Sequence, residues 1–219
     1  MTFRLAFAKG RGAAESMRLL ETDGVIPPPT FHGGKLPVWS APEFDLLCVV
    51  VRGQDIVKLL QEGHVDAAVA SNLIFKEYAS KDLVAAASLD IGACRFSLIT
   101  QDLRPKRLLR KIGTRYPQLT RKKLNGIAGD TEFLELHGCV EAGIFLGICD
   151  AITDVVETGF TLSSLSLKER EVLYTVNHEI RIRSRDCDEH LKKLEHLMPS
   201  LTLLPVEKEV QAECAIPFF

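Results

Sequence analysis

Residues 44–70, FDLLCVVVRGQDIVKLLQEGHVDAAVA, carry a strand, a turn, a helix and a second strand in direct succession. Phe44 to Val51 is a near-continuous apolar run, the pattern of a strand covered on both faces. Arg52-Gly53 breaks that run. Gln54 to Glu62 reads as a helix that Gly63 ends. Val65 to Ala70 is apolar again and short. A strand, a helix and a strand joined this closely make the crossover unit of a parallel sheet.

The alternation extends in both directions. Phe3 to Ala8 reads as a buried strand, Lys9-Gly10-Arg11-Gly12 as a turn and Ala13 to Glu21 as a helix. Gly24 to Pro42, rich in proline and glycine, predicts mostly loop. The texture changes at Ile91-Gly92-Ala93, and Cys94 to Thr100 starts a new strand. Then come a helix at Pro117–Leu124, a strand at Glu132–Leu136, a helix at Val140–Leu146 and a strand at Ala151–Val156. Val172 to Ile182 is β-like, and Asp186 to Leu197 is an amphipathic helix. The expectation is an α/β fold of two lobes, with a cleft between two mainly parallel sheets. Lobe I takes residues 1–93 and 176–219, and lobe II takes 94–175. Ligands of α/β folds bind at the carboxyl ends of the strands.

The chain has 219 residues, 46% hydrophobic and 26% charged, which excludes disordered and collagen-like classes. Its six cysteines lack any C-x-x-C or zinc spacing and read as reduced thiols. The N-terminus does not read as a signal peptide, and no apolar run approaches the roughly 20 residues of a membrane span. A soluble, cytoplasmic protein with no membrane partner is expected.

Net charge is −2, unevenly spread. Between Asp102 and Asp130 there are nine cations and no acid, which leaves −11 on the other 210 residues. Such a local positive field suits an anionic small molecule. It would suit nucleic acid too, but Tyr116 is the stretch's single aromatic residue for stacking, so no nucleic-acid partner is expected; a solvated helix face that balances acids elsewhere is the other reading.

Three turns at strand ends can meet phosphate. Glu157-Thr158-Gly159-Phe160-Thr161-Leu162 follows the strand that carries Asp154. Backbone N–H groups and two threonine hydroxyls can wrap a phosphate there, and Asp154 can accept hydrogen bonds from sugar hydroxyls. An ordinary capped strand-to-helix turn is the other reading. Lys9-Gly10-Arg11-Gly12 offers two cations beside a helix start, or is simply a surface turn. Arg52, at the end of the apolar strand, can neutralise a departing pyrophosphate or pair with Asp55. Cys139 has no base partnered with it in sequence, and the six histidines show no metal spacing.

These residues fall into a known pattern. Phe7-Ala8-Lys9-Gly10-Arg11 is followed by Arg52-x-x-Asp55-Ile56, Gly63-x-x-Asp66, Gly92-x-Cys94-Arg95 and Thr114-x-Tyr116-Pro117-x-x-Thr120. Gly138-x-Val140-Glu141 comes next. Asp150-Ala151-Ile152-x-Asp154-x-Val156-x-Thr158-Gly159-x-Thr161-Leu162 closes the series. In these motifs and their order the chain resembles the ATP phosphoribosyltransferases, which open histidine biosynthesis.

The resemblance implies a fold like a type II periplasmic binding protein. It implies that N1 of ATP attacks C1 of 5-phosphoribosyl 1-pyrophosphate, releasing pyrophosphate with help from magnesium held mainly by substrate. It assigns Glu157, Thr158, Gly159, Phe160, Thr161 and Leu162 to the 5-phosphate and Asp154 to the ribose. Lys9 and Arg52 would be catalytic, and Arg11, Arg95 and Glu141 would bind substrate. It further implies a homodimer and, for a chain of this short form, a regulatory subunit resembling histidyl-tRNA synthetase. The chain departs from the family at Cys139, usually serine, and at Gly33-Gly34-Lys35-Leu36, where many members carry an arginine. Those departures keep two alternatives open, a different acceptor and a non-catalytic nucleotide-binding paralogue.

Overall fold

Of the apolar run at 44–51, Leu46–Val51 forms the expected parallel strand, while Phe44 ends a short turn and Asp45 takes φ +50°, in a computed structural model that describes residues 1–32, 36–78, 81–101, 105–124 and 130–205. The side chains of Arg11, His32 and Arg107 lie outside that description. In chain order the first elements are β1 (Phe3–Ala8), α1 (Arg11–Thr22), α2 (Pro29–His32), β2 (Val38–Ala41), β3 (Leu46–Val51), α3 (Gly53–Gln61) and β4 (Ala67–Ser71). There follow α4 (Asn72–Tyr78), β5 (Leu83–Thr100), β6 (Lys111–Thr114), α5 (Pro117–Leu124) and β7 (Glu132–Glu135). The last are α6 (Ala142–Phe145), β8 (Ala151–Val156), α7 (Phe160–Ser164), β9 (Lys168–Arg183) and α8 (Cys187–Leu197). The chain divides into two compact units, one of residues 1–70, 79–89 and 179–219, the other of 71–78 and 90–178.

In the first unit the strand order is β2-β3-β1-β4-β9. β1 runs parallel to β3 from Phe3↔Leu46 to Ala8↔Val51, and parallel to β4. The crossover read from residues 44–70 is α3, whose Ile56, Val57 and Leu60 are buried at helical spacing. Gly63 stops it with φ +81°, a left-handed value that favours glycine.

An ionic cluster, in which Asp66, Arg183 and His190 are buried and Arg4 is partly exposed, lies at the amino ends of these strands. The Asp66 carboxylate accepts the Arg4 N–H at 2.8 Å and its guanidinium at 2.6 and 3.0 Å. Arg183 donates to the carbonyls of Leu60 and Val65 at 2.8 and 2.6 Å and to Asp186 at 2.5 Å. His190 Nε2 lies 3.9 Å from Asp66.

This cluster makes stability sensitive to acid. Burial pushes the His190 pKa below its usual value. Burial raises the Asp66 carboxyl, but the Arg4 hydrogen bonds outweigh it and the net shift is downward. Both groups therefore contribute stability above their unfolded pKa values and lose it on acidification, His190 below about 6.5 and Asp66 below about 3.9. The urea midpoint is expected to fall between pH 7 and pH 5, and His190→Phe to flatten that fall. An equal slope in the variant would remove His190 from the account.

In the second unit the order is β9-β5-β8-β6-β7. β6 is parallel to β7 and β8, while β5 and β8 are antiparallel, with Ser97 opposite Asp154 and Arg95 opposite Val156. Alternation along the strands sorts the residues by face. Ile99, Ile152 and Val156 join Val140, Ile144 and Leu162 in one cluster, and Phe96, Leu98 and Ala151 join Leu119 and Leu124 in another.

Four local expectations change. Residues 24–42 are not only loop. Phe31 is buried edge-on against Phe7 at 6.4 Å, which pins α2, and β2 pairs antiparallel with β3 as an edge strand. The parallel character of the sheets is thus broken at β2–β3 and β5–β8. No strand starts at Cys94, because β5 runs through the 91–93 break. Gly92 sits inside it at φ +62°, and a Cβ there would come within 2.9 Å of the His178 ring, so the glycine answers a close approach. Finally, α4 and β6 form where no element was expected, and α7 gives the 157–162 turn its other reading, a strand-to-helix turn.

Candidate active site

The turn after β8 is built from its strand outward. Asp154 shares a face of β8 with Ile152 and Val156, and it is half-buried with Oδ2 3.6 Å from an Arg115 nitrogen. The exposed residues Glu157 and Thr158 follow. Gly159 then takes φ +78°, ψ 4° and opens α7. A Cβ on Gly159 would meet nothing within 4 Å, so the turn faces open space. Thr158 Oγ1 accepts the Phe160 N–H at 3.3 Å, which folds the hydroxyl over the turn. Thr161 is exposed, and Phe160 is 75% exposed.

Leu162 differs from its neighbours. Its side chain is buried in the cluster with Val156 and Ile144, so it anchors the turn and can offer a ligand only backbone. The sequence-based assignment of Leu162 alongside Thr158 and Thr161 did not separate these two jobs.

Arg95 is held by protein groups. Its Nε and one terminal nitrogen donate to Glu169 at 2.6 and 2.8 Å, and its other terminal nitrogen donates to the Glu157 carbonyl at 3.3 Å. Ser97 Oγ donates to the same Glu169 at 2.7 Å. The hydrogen bond from Arg95 is the main reason the Glu169 carboxyl is held below its usual range.

Glu141 precedes α6, and the Cys139 thiol donates to its carboxylate at 3.2 Å. That bond and the charge of Glu141 push the Cys139 pKa up, with a smaller contribution from Asp154. A thiol shifted in this direction has less thiolate character and is a poorer nucleophile. It can act as a hydrogen-bond donor where the resemblance would place serine.

Beneath Asp154 lies a buried triangle of hydroxyls. Thr153, Thr114 and Thr120 are joined at 2.6, 2.9 and 3.0 Å, tying β8, β6 and α5 together. Arg115 follows β6 directly, so this triangle also fixes where the partner of Asp154 emerges. Arg115 and Glu169 were absent from the sequence-based set. Arg115 had a signal in the cation-rich stretch, whereas Glu169 had none, because its role depends on β9 pairing with β5.

In the first unit, Lys9 and Arg52 stand side by side. They follow the paired residues Ala8 and Val51, and the Lys9 N–H donates to the Val51 carbonyl at 2.6 Å. Both residues are exposed at the carboxyl ends of parallel strands. Among the described residues neither side chain has a hydrogen bond or ion pair, so the alternative Arg52–Asp55 pair does not form. Two adjacent cations without a carboxylate are a ready site for phosphate oxygens. The Arg11 backbone starts α1, while its side chain lies outside the described residues, as do Gly33, Gly34 and Lys35 of the early loop.

A cavity of 1090 Å³ lies at the opposite, amino ends of these strands, lined by Phe3, Arg4, Asp66, Arg183 and His190 among others. Its central charges are already committed to one another, and it is distant from the cations at the carboxyl ends. Among the described residues no three His, Cys, Asp or Glu side chains converge as a metal cage, and no helix is long and apolar enough to cross a membrane.

A family model described as HisG, ATP phosphoribosyltransferase, matches residues 52–203. The ATP phosphoribosyltransferase of Leptospira biflexa is 32% identical over 201 residues, covering 90% of this chain and 98% of the relative. That of Listeria monocytogenes is 28% identical over 212 residues, covering 96% and 98%. Among solved structures, the ATP phosphoribosyl transferase (HisG:HisZ) complex from Thermotoga maritima superposes with TM-score 0.74 at 22% identity, over 90% of this chain and 99% of that one. The VFT2 domain of BvgS from Bordetella pertussis gives 0.60 at 11% identity, over 91% and 88%. At these identities the structural likeness shows the fold, a two-lobed α/β fold of the periplasmic-binding-protein kind.

Proposed function

The chain belongs to the ATP phosphoribosyltransferase family, and on that premise we propose that it joins N1 of ATP to C1 of 5-phosphoribosyl 1-pyrophosphate, the first step of histidine biosynthesis. The bond from C1 to the pyrophosphate oxygen breaks, and the N1–C1 bond forms. The observation that carries the site assignment is the turn at 157–161, open at Gly159 and set directly after the strand of Asp154.

In this reading the turn's N–H groups and hydroxyls hold the 5-phosphate, and Asp154 accepts hydrogen bonds from ribose hydroxyls. Lys9, Arg11 and Arg52 meet the pyrophosphate, whose negative charge grows as the C1–O bond breaks. Cations fixed where charge develops stabilise a transition state more than a ground state. Glu141 meets the acceptor. Magnesium, held mainly by the substrate, would offset charge on the departing pyrophosphate. No covalent nucleophile is needed.

Assembly follows the same reading. A homodimer and a regulatory subunit resembling histidyl-tRNA synthetase, of the kind the name of the Thermotoga maritima complex points to, are proposed partners. The cytoplasm is the proposed compartment.

The test is mass spectrometry of a mixture of the chain, magnesium, the donor, a panel of nucleotides and pyrophosphatase. A species equal to ATP plus a phosphoribosyl group is the expected product. The Cys139–Glu141 contact favours a second reading, transfer to another acceptor, which an adduct of a different base would reveal. No adduct, with the regulatory subunit also supplied, would reject catalysis.

A further inference from the structure

The Glu169 carboxylate stands apart from the ordinary surface ion pairs of this chain. An exposed pair of single contacts is worth little. Glu169 instead receives both prongs of the Arg95 fork, at 2.6 and 2.8 Å, and the hydroxyl of the fully buried Ser97 at 2.7 Å. Its side chain keeps only 22% of its exposure. Arg95 and Ser97 lie two residues apart on one face of β5, so a single carboxylate grips both.

The remaining Arg95 nitrogen donates to the Glu157 carbonyl. Register explains its reach. Arg95 is paired with Val156, the last residue of β8, so the guanidinium stands where the chain leaves the strand. The carbonyl of Glu157 and the N–H of Thr158 belong to one planar peptide unit and point in opposite directions. Holding the carbonyl therefore sets the direction of the Thr158 N–H, the first backbone donor of the turn.

We propose that Glu169 is a positioning residue for the transfer, acting through Arg95 to orient the Glu157–Thr158 peptide and thereby the 157–161 turn. This rests on the reading of that turn as the holder of the donor's 5-phosphate. A 5-phosphate contact is made equally in the ground and transition states, so its loss raises KM and spares kcat. The charge on Glu169 matters because it keeps the Arg95 fork from turning toward solvent or toward the ligand's own phosphate.

The test compares Glu169→Gln, Arg95→Lys and their double variant in the full-length chain, assayed for donor KM, ATP KM, kcat and inhibition by ribose 5-phosphate and by pyrophosphate. Glu169→Gln is expected to raise the donor KM and weaken ribose 5-phosphate inhibition by about tenfold, the scale of weakening one hydrogen bond to a charged group. Pyrophosphate inhibition, ATP KM and kcat at saturating donor should stay within about twofold. The double variant should be no worse than the poorer single one, because the pair acts as a unit. Glu169→Asp keeps the charge with a shorter reach and should fall between wild type and Glu169→Gln, which provides a second reading if the glutamine variant folds poorly.

An unchanged donor KM in Glu169→Gln, with Gly159→Val still raising it, would overturn the positioning role and leave the turn reading standing. Equal weakening for every ligand together with a lowered Tm would mean a merely structural pair and would also overturn it. No effect from either Glu169→Gln or Gly159→Val would remove the turn reading and this proposal with it.

Discussion

Gly159→Val is expected to weaken donor binding by at least about 100-fold while the chain still folds. Two observations separate the ligand effect from the structural one. Gly159 adopts φ +78°, so any L side chain there is strained, by roughly 1–2 kcal/mol. A chain of this size loses about 2–4 °C of Tm per kcal/mol, so the cost to the fold is a few degrees. A Cβ at Gly159 would touch nothing within 4 Å, so the branched side chain projects into the open mouth of the turn without disturbing the core. That is the space a phosphate must occupy to reach the turn's N–H groups. Gly159→Ala shares most of the strain but fills less of the space, and it should retain more donor affinity than the valine variant. Calorimetric titration of the donor, beside a thermal melt, checks both. A folded Gly159→Val chain with unchanged donor affinity would sink the assignment.

The readable parts of this fold were those where one strand or one helix determines its own pattern. Residues 44–70 announced their crossover because β3 is apolar throughout and α3 ends on a glycine that must take positive φ. The motif from Asp150 to Leu162 likewise showed its strand and turn. What stayed hidden depended on partners distant in sequence. Pro29–His32 is helical because Phe31 is buried against Phe7, a tertiary contact that overrides a proline-rich local signal. The break at Gly92 looked like the end of an element, yet it is a close approach by the His178 ring inside a continuous strand.

The site divides in the same way. Among the proposed site residues, Asp154 stands out as the acid of an apolar strand, and Lys9, Arg52 and Thr158 each follow the end of their own strand. Leu162 belonged to the motif, but its alternation into the core became clear only with α7 in place. The partners that hold those residues, Arg115, Glu169 and the Thr114–Thr120–Thr153 triangle, emerge only from the pairing of β5, β6, β8 and β9.

Arg52→Ala is expected to lower kcat by about 100-fold, the usual scale for losing one preorganised charge-stabilising donor, with a much smaller rise in donor KM. Arg52 is exposed directly after β3. Among the described residues its side chain has no hydrogen bond or ion pair, so removing it breaks no such contact with them and is expected to leave Tm nearly unchanged. A free cation at the carboxyl end of β3 acts on whatever anion arrives there. If that anion is the leaving pyrophosphate, the interaction strengthens as the C1–O bond lengthens and the loss appears in kcat. Lys9 follows the neighbouring strand β1, and its N–H donates to the Val51 carbonyl, so in this reading the two cations meet the same growing charge. Lys9→Ala should therefore also lower kcat, and the double variant should lose less than the product of the two single losses. Arg52→Lys keeps the charge without the planar fork and should recover part of the rate. Steady-state kinetics of the four chains at saturating ATP decide the matter. Equal losses in kcat and donor affinity would make Arg52 a plain ground-state contact, and fully multiplicative losses would mean that the two cations serve different groups.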